Sequence, residues 1–163
     1  MSRGYFGIGV YHPKHSVNIG SLWRSAYAFR CAFVFLIGPR FIHQSSDCIK
    51  SWRHVPVYKY IDFEDFNSHR PYSAPVIAIE IADGAQALSA FSHPQRAIYL
   101  LGAEDHGLPP AILERCQHVI EIESRLCLNV AVAGSIVMYD RLRKFNRLDR
   151  IKQAKPLDTE VEG

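Results

Sequence analysis

The feature that most limits what this chain can fold into is a recurring pair: a short apolar run, then a stretch with helical spacing. Residues 5–11 (YFGIGVY), 32–37 (AFVFLI), 55–60, 75–81 (PVIAIEI), 97–101 (AIYLL) and 119–122 read as strands. Helices are expected over 18–30, 47–52, 63–68, 84–91, 109–116 and 129–145. In the first of these, Ile19, Leu22, Trp23 and Ala26 fall at the i, i+3, i+4, i+7 spacing of one helix face. A strand that is apolar at nearly every position has no face to offer water, so both of its sides must be covered. Helical crossovers between parallel strands provide that cover. The expected fold is α/β, with a parallel sheet flanked by helices on both faces. The 163 residues suit a single domain, expected over 1–151, with 152–163 a flexible tail that lacks an apolar period.

Charge is divided unevenly along the chain. Residues 1–60 carry eight Lys/Arg (Arg3, Lys14, Arg24, Arg30, Arg40, Lys50, Arg53, Lys59) against one acid, Asp47. Residues 61–140 carry eleven acids against four basic residues. A basic N-terminal third fits either a polyanion partner or a solvated surface. No apolar run approaches the ~20 residues that cross a bilayer, and the first residues lack a signal peptide's order, so the expected compartment is the cytoplasm, without membrane attachment. Cys31, Cys48, Cys116 and Cys127 are scattered, which argues against zinc or a disulfide framework. The nearest approach to a metal motif is His12-Pro-Lys-His15, where Pro13 opposes a regular helix; two loop histidines are expected, and no metal.

Three segments carry the chemistry. In the first, Asn18 is placed to N-cap a helix, Gly20 leaves room for a close approach, and Arg24 lies one turn beyond Gly20. A guanidinium above a glycine near a helix start suits phosphate, although an amphipathic helix with an exposed arginine has the same pattern. The second, Leu101-Gly-Ala-Glu-Asp-His-Gly-Leu-Pro-Pro, leaves a buried strand and turns through two glycines around Glu104. It sits where open α/β sheets bind ligands, yet it is neither a Walker loop nor a dinucleotide fingerprint. Glu104 serves either the turn or the chemistry. The third, residues 122–135, ends a strand and starts a helix of small apolar residues at Asn129. That helix turns basic at Arg141, Arg143, Lys144 and Arg147, which reads as a solvated C-terminal end favoured by the helix dipole.

In this order, the segments resemble the three motifs of the SpoU-type branch of the SPOUT RNA methyltransferases. Asn18, Gly20 and Arg24 match the first motif; Gly102, Glu104, Gly107 and Leu108 match the second; Cys127-Leu-Asn-Val-Ala-Val-Ala133 matches the third. The likeness covers roughly residues 5–145. It implies an α/β knot, whose C-terminal segment threads a loop as a trefoil, against the general rule that chains avoid knots. It also implies a homodimer, S-adenosyl-L-methionine (SAM) as methyl donor, and methylation of a ribose 2′-OH in RNA, tRNA ahead of rRNA. SAM would be held near Ile79, Leu101, Gly102, Gly107, Ile122, Cys127 and Leu128. Arg24, Asn18, Glu104 and Asn129 would form the catalytic set, with Arg24 reaching the partner's SAM. Lys14, Arg24, Arg30 and Arg40 would contact RNA.

The family's first-motif arginine has been proposed as the base, but a guanidinium stays protonated in proteins. Arg24 is therefore expected to grip the neighbouring phosphate and stabilise the forming alkoxide. Three positions depart from the pattern. Cys127 replaces a serine, a weak thiol donor for a hydroxyl; Ala103 stands where a proline is common; and Arg30 stands where the family often has glycine. Two alternatives stay open: methylation of a base nitrogen by the same fold, and a catalytically silent knotted RNA-binding or assembly protein.

Overall fold

The computed structural model describes residues 4–39 and 53–153. The expectations for Arg40 and for a helix at 47–52 lie outside the described residues. In chain order the elements are β1 (Phe6–Tyr11), α1 (Ser16–Ala28), β2 (Phe33–Ile37), β3 (Val57–Tyr60), α2 (Phe63–His69) and β4 (Val76–Ile79). They continue with β5 (Gln86–Ala87), β6 (Ala97–Leu101), α3 (Pro110–Leu113), β7 (His118–Glu121), α4 (Val130–Lys144) and α5 (Leu148–Lys152). The sheet has seven strands in the order β3-β2-β1-β6-β4-β7-β5, and its pairings are parallel throughout. The expected parallel sheet, covered on both faces, is what the chain forms.

Alternation along each strand sorts the core into two layers. Ile8, Ile77, Tyr99 and Leu101 meet Ile19, Leu22 and Trp23 of α1 and Val137 and Met138 of α4. Phe35, Ala78, Ile98 and Leu100 meet Phe63 and Phe66 of α2 and Leu108 and Ile112 beyond β6. The helices α1 and α4 lie against each other because their facing residues are small. A β-carbon added at Gly134 would stand 2.5 Å from Leu22 Cδ1, and Ser135 Oγ donates to Ser25 Oγ at 2.8 Å. Trp23 Nε1 donates to the Val55 carbonyl at 2.8 Å, which anchors the approach to β3 beneath α1.

Several sequence expectations are corrected. The stretch 84–91 is not a helix. Gln86 and Ala87 pair with Ile120 and Glu121 as β5, and Leu88–Ala90 makes a single tight 3₁₀ turn. Gly84 takes φ +78°, and pairing to β7 satisfies backbone groups that a bare strand edge would leave open. The helix expected over 109–116 is shorter, Pro110–Leu113. Asn18 is not an N-cap: α1 starts at Ser16 with His15 at the cap position and no side-chain cap bond. The same helix ends at Ala28, not Arg30. Cys31 N–H bonds back to the Ala26 carbonyl at 2.8 Å, and Arg30 occupies the left-handed region at φ +59°. That conformation is the one glycine takes most easily.

The basic end of α4 is also not simply solvated. Arg141 is 1% exposed, with its guanidinium over Phe6 and Phe145. It donates to the Pro94 and Gln95 carbonyls, both at 2.7 Å, and to the Tyr99 hydroxyl at 3.2 Å. Beside it, His93 bridges Tyr99 Oη (2.6 Å) and Asp140 Oδ2 (3.0 Å). Lys144 Nζ bonds Asp140 Oδ2 at 2.7 Å and the Leu88 and Phe91 carbonyls at 2.6 and 2.9 Å. These carbonyls lie in turns outside the regular strands, so side chains complete their hydrogen bonding.

Candidate functional site

In a parallel sheet the loops leaving the carboxyl ends of neighbouring strands emerge on one side. Here the loops after β1, β4, β6 and β7 do so, and each of the three sequence segments supplies one of them or the helix it enters. Between the loops after β4, β6 and β7 lies a cavity of about 290 Å³. Its lining includes every position expected around the donor: Ile79, Leu101, Gly102, Gly107, Ile122, Cys127 and Leu128. Glu80, Glu104 and Asp105 add carboxylates, and Val130 and Ala133 close it from the start of α4.

The loop after β6 is a tight hairpin-like turn. Gly107 N–H donates to the Ala103 carbonyl at 2.9 Å, and Gly107 takes φ +61°. The turn folds back on its own base, where a β-carbon at Gly102 would stand 2.6 Å from Leu108 N. The two glycines therefore have distinct reasons: Gly102 admits its own loop, and Gly107 reverses the chain. Lys14 Nζ contacts Asp105 Oδ2 at 2.8 Å, and His15 Nε2 lies 3.4 Å from Glu104 Oε2. The ammonium holds the Asp105 carboxyl below its ordinary value. Lys14, expected to face RNA, thus pairs with the loop in this chain, while His12 stacks on Tyr11.

Asn129 joins the first segment to the third. It caps α4, as expected: its Oδ1 accepts from Ala131 N–H at 2.9 Å and Val132 N–H at 3.3 Å. Its Nδ2 donates to Asn18 Oδ1 at 2.8 Å, across 111 positions of chain. Asn18, Glu104 and Val130 then share a small cleft beside the cavity. Arg24 is exposed on α1 and is not among the residues that line the cavity. At 1.5 Å per residue it stands about 9 Å along the helix from Asn18. Arg30 is exposed past the end of α1.

Glu80 was missed in the sequence. It lines the cavity, and its carboxylate accepts from Leu108 N–H at 2.8 Å and Ile81 N–H at 3.1 Å. The available signal was a single charge inside the apolar run PVIAIEI. Among the other groups, Cys127 is exposed at the cavity, whereas burial pushes the Cys31 thiol up to about 12.

The cavity suits SAM on its own terms. Ile79, Leu101, Ile122 and Leu128 offer apolar walls to a flat heterocycle, and the glycine turn lets backbone groups come close. Ile81 and Leu128 remain exposed at 56% and 37%, apolar surface that a bound ligand would cover. Carboxylates from Glu80, Glu104 and Asp105 complement a cationic ligand.

Residues 6–139 match the model of the SpoU rRNA Methylase family. No curated protein matches the chain. A structure solved in work on the 2-OH methylation of C/U34 on tRNA is similar, with a TM-score of 0.78 and 26% identity, over 89% of this chain and 99% of that one. The AdoMet-bound rRNA methyltransferase from Sinorhizobium meliloti is similar at TM-score 0.77 and 21% identity, over 87% of this chain and 57% of its own. The A. aeolicus TrmH/SpoU tRNA modifying enzyme gives 0.78 and 16%, over 93% and 80%. At those identities the last two bear on the fold.

Proposed function

The chain belongs to the SpoU rRNA Methylase family, and from that premise we propose that it methylates a ribose 2′-OH of RNA, with tRNA the preferred substrate. SAM is the methyl donor, as in the AdoMet-bound S. meliloti structure of the same fold. The observation that carries the reading is the Asn129–Asn18 hydrogen bond, which brings the first segment to the rim of a cavity built by the second and third. Support for ribose and tRNA comes from the 26% identical neighbour, linked to 2-OH methylation of C/U34 on tRNA.

When bound, SAM supplies an electrophilic methyl on a sulfonium, so the protein's task is alignment and management of the 2′-OH proton. Ile79, Leu101, Gly102, Gly107, Ile122, Cys127 and Leu128 would hold it. Asn18 and Asn129, fixed on each other, present amide groups toward the ribose side. Glu104 orients the loop beside them. Arg24 grips the phosphate next to the target and stabilises the alkoxide as it forms; the proton leaves to that phosphate or to water. A guanidinium that stays protonated can do this, and cannot act as a base.

Arg24 is exposed and does not line its own cavity, which supports a homodimer in which it serves the partner's site. Val17 on α1 and Val132 and Tyr139 on α4 are large, exposed apolar side chains on that packed helix pair, and a dimer would cover them. Lys14, Arg30 and Arg40 would extend the RNA contact. We further propose the single domain over 1–151 and the knot. In support of the knot, β4 and β5 lie on opposite sides of β7, and the chain that leaves β7 for α4 would thread the loop that joins them.

Methyl-labelled SAM incubated with total tRNA tests the activity. Label is expected in RNA, lost by at least ~100-fold on Arg24→Lys, because an ammonium lacks the planar fork. Full turnover by Arg24→Lys would refute that role. SAM binding without transfer to RNA would favour the silent RNA-binding reading, which Cys127 in place of serine keeps open.

A further inference from the structure

We propose that Glu80 is a positioning residue for the donor cavity, acting by holding the 103–107 turn in place. The proposal rests on the donor reading above and deepens it. Glu80 follows the last residue of β4, and its own N–H still bonds the Ile120 carbonyl of β7 at 2.9 Å. Its backbone is therefore part of the sheet, which makes it a rigid post. A half-buried carboxylate must recover lost hydration through hydrogen bonds, and those to a charged acceptor are the stronger kind.

Glu80 makes one such bond across to the neighbouring connection, from Leu108 N–H at 2.8 Å. Leu108 is buried in the core beneath α2 and α3, so this bond sets where the turn re-enters the protein. The fit is also steric. A β-carbon at Gly107 would stand 2.5 Å from Glu80 Oε2 and 3.1 Å from its Cδ. Gly107 thus leaves the space that the carboxylate fills, beyond what its positive φ already requires. The other ties on the turn, Lys14–Asp105 and His15–Glu104, lie at the surface, and such pairs contribute little. Glu80 is the tie made from inside.

Glu80→Ala removes the bond, while Glu80→Gln keeps an oxygen that can accept from Leu108 N–H. Titration calorimetry of the full chain with SAM and with S-adenosyl-L-homocysteine, plus amide exchange at Leu108, separates the roles. Glu80→Ala is expected to weaken both ligands by the same factor, on the order of 10-fold, and to speed Leu108 exchange. Glu80→Gln should restore both to within about 3-fold and keep the amide protected. Gly107→Ala should cost more binding in the wild-type chain than in Glu80→Ala, where its methyl group meets no carboxylate. If Glu80→Gln loses SAM as severely as Glu80→Ala yet binds the neutral homocysteine product normally, the carboxylate acts by its charge on the ligand and the proposal is overturned. Wild-type affinity in Glu80→Ala also overturns it. A wild-type chain that binds neither ligand overturns the donor reading, and the proposal with it.

Discussion

The two ends of α4 are built on opposite principles. At its start, Asn129 is exposed, bonds Asn18 and opens onto a cavity walled by small or glycine-rich loops. At its end, Arg141, Asp140 and His93 are buried in a polar network that ties the helix to the turns at 88–95. The first end keeps its polar groups at the surface, beside the cavity. The second spends all of them on the protein itself. One helix thereby serves a site that must stay open and a clamp that must stay shut. Substitutions at the two ends should fail in different ways.

The largest effect is expected at the clamp. Arg141→Met leaves the Pro94 and Gln95 carbonyls and the Tyr99 hydroxyl without their donor, at a cost of ~3–5 kcal/mol in urea unfolding. SAM affinity of the folded fraction should not change. If affinity falls in step with stability, the two ends are not separate.

At the other end the order reverses. Asn129→Asp still accepts from Ala131 and Val132 and so keeps the cap, but it has no N–H to give Asn18. Turnover should fall at least ~100-fold, about 2.7 kcal/mol of barrier, with the melting temperature nearly unchanged. Asn129→Ala should lose the cap as well, about 1 kcal/mol of stability. An Asp variant that keeps full turnover would show that the Asn18 bond is incidental.

Acid should act on the clamp first. Burial holds His93 below its ordinary value, outweighing the nearby Asp140 carboxylate. Burial pushes Asp140 up, but the bonds from Lys144, His93 and Arg143 prevail and hold it low. Both groups have depressed folded values, so their contribution is present above the unfolded values and is lost as pH falls. For His93 the decline begins below an ordinary histidine value of about 6.5, and for Asp140 below about 3.9. Unfolding free energy measured from pH 8 to 5 should fall, and His93→Gln should flatten that fall. A slope unchanged by the substitution would assign the acid sensitivity elsewhere.

What the sequence disclosed follows the same division. The central strands β1, β2, β4 and β6 were legible because each is a continuous apolar run, and the motifs because their glycines and asparagines stand at fixed spacing where strands give way to loops and helix starts. The clamp was not. Arg141 looks like a solvated helix end until Pro94, Gln95 and Tyr99, distant in sequence, close around it. Residues 84–91 looked helical by composition, but the open edge of β7 recruited two of them as a strand. Asn18 sits in the first turn, not at the cap, because its partner is Asn129 and not its own backbone. Glu80 carried one hint, a charge in an apolar strand, and only the turn folded against it reveals the reason.

The smallest expected change lies outside both ends. Arg30 holds φ +59° where glycine is easier, so Arg30→Gly should stabilise the fold by up to about 1 kcal/mol. If RNA affinity drops at the same time, Arg30 is retained for its charge. Unchanged affinity would remove it from the RNA surface.

The central claim is that the open end of α4 directs a methyl group to a ribose oxygen. Alkali cleaves RNA through its free 2′-OH and cannot cleave beside a 2′-O-methyl. The decisive measurement is alkaline hydrolysis of tRNA labelled by this protein from methyl-labelled SAM. The account predicts label in alkali-resistant dinucleotides, absent with Asn129→Asp. Label in mononucleotides would place the methyl group on a base and contradict it.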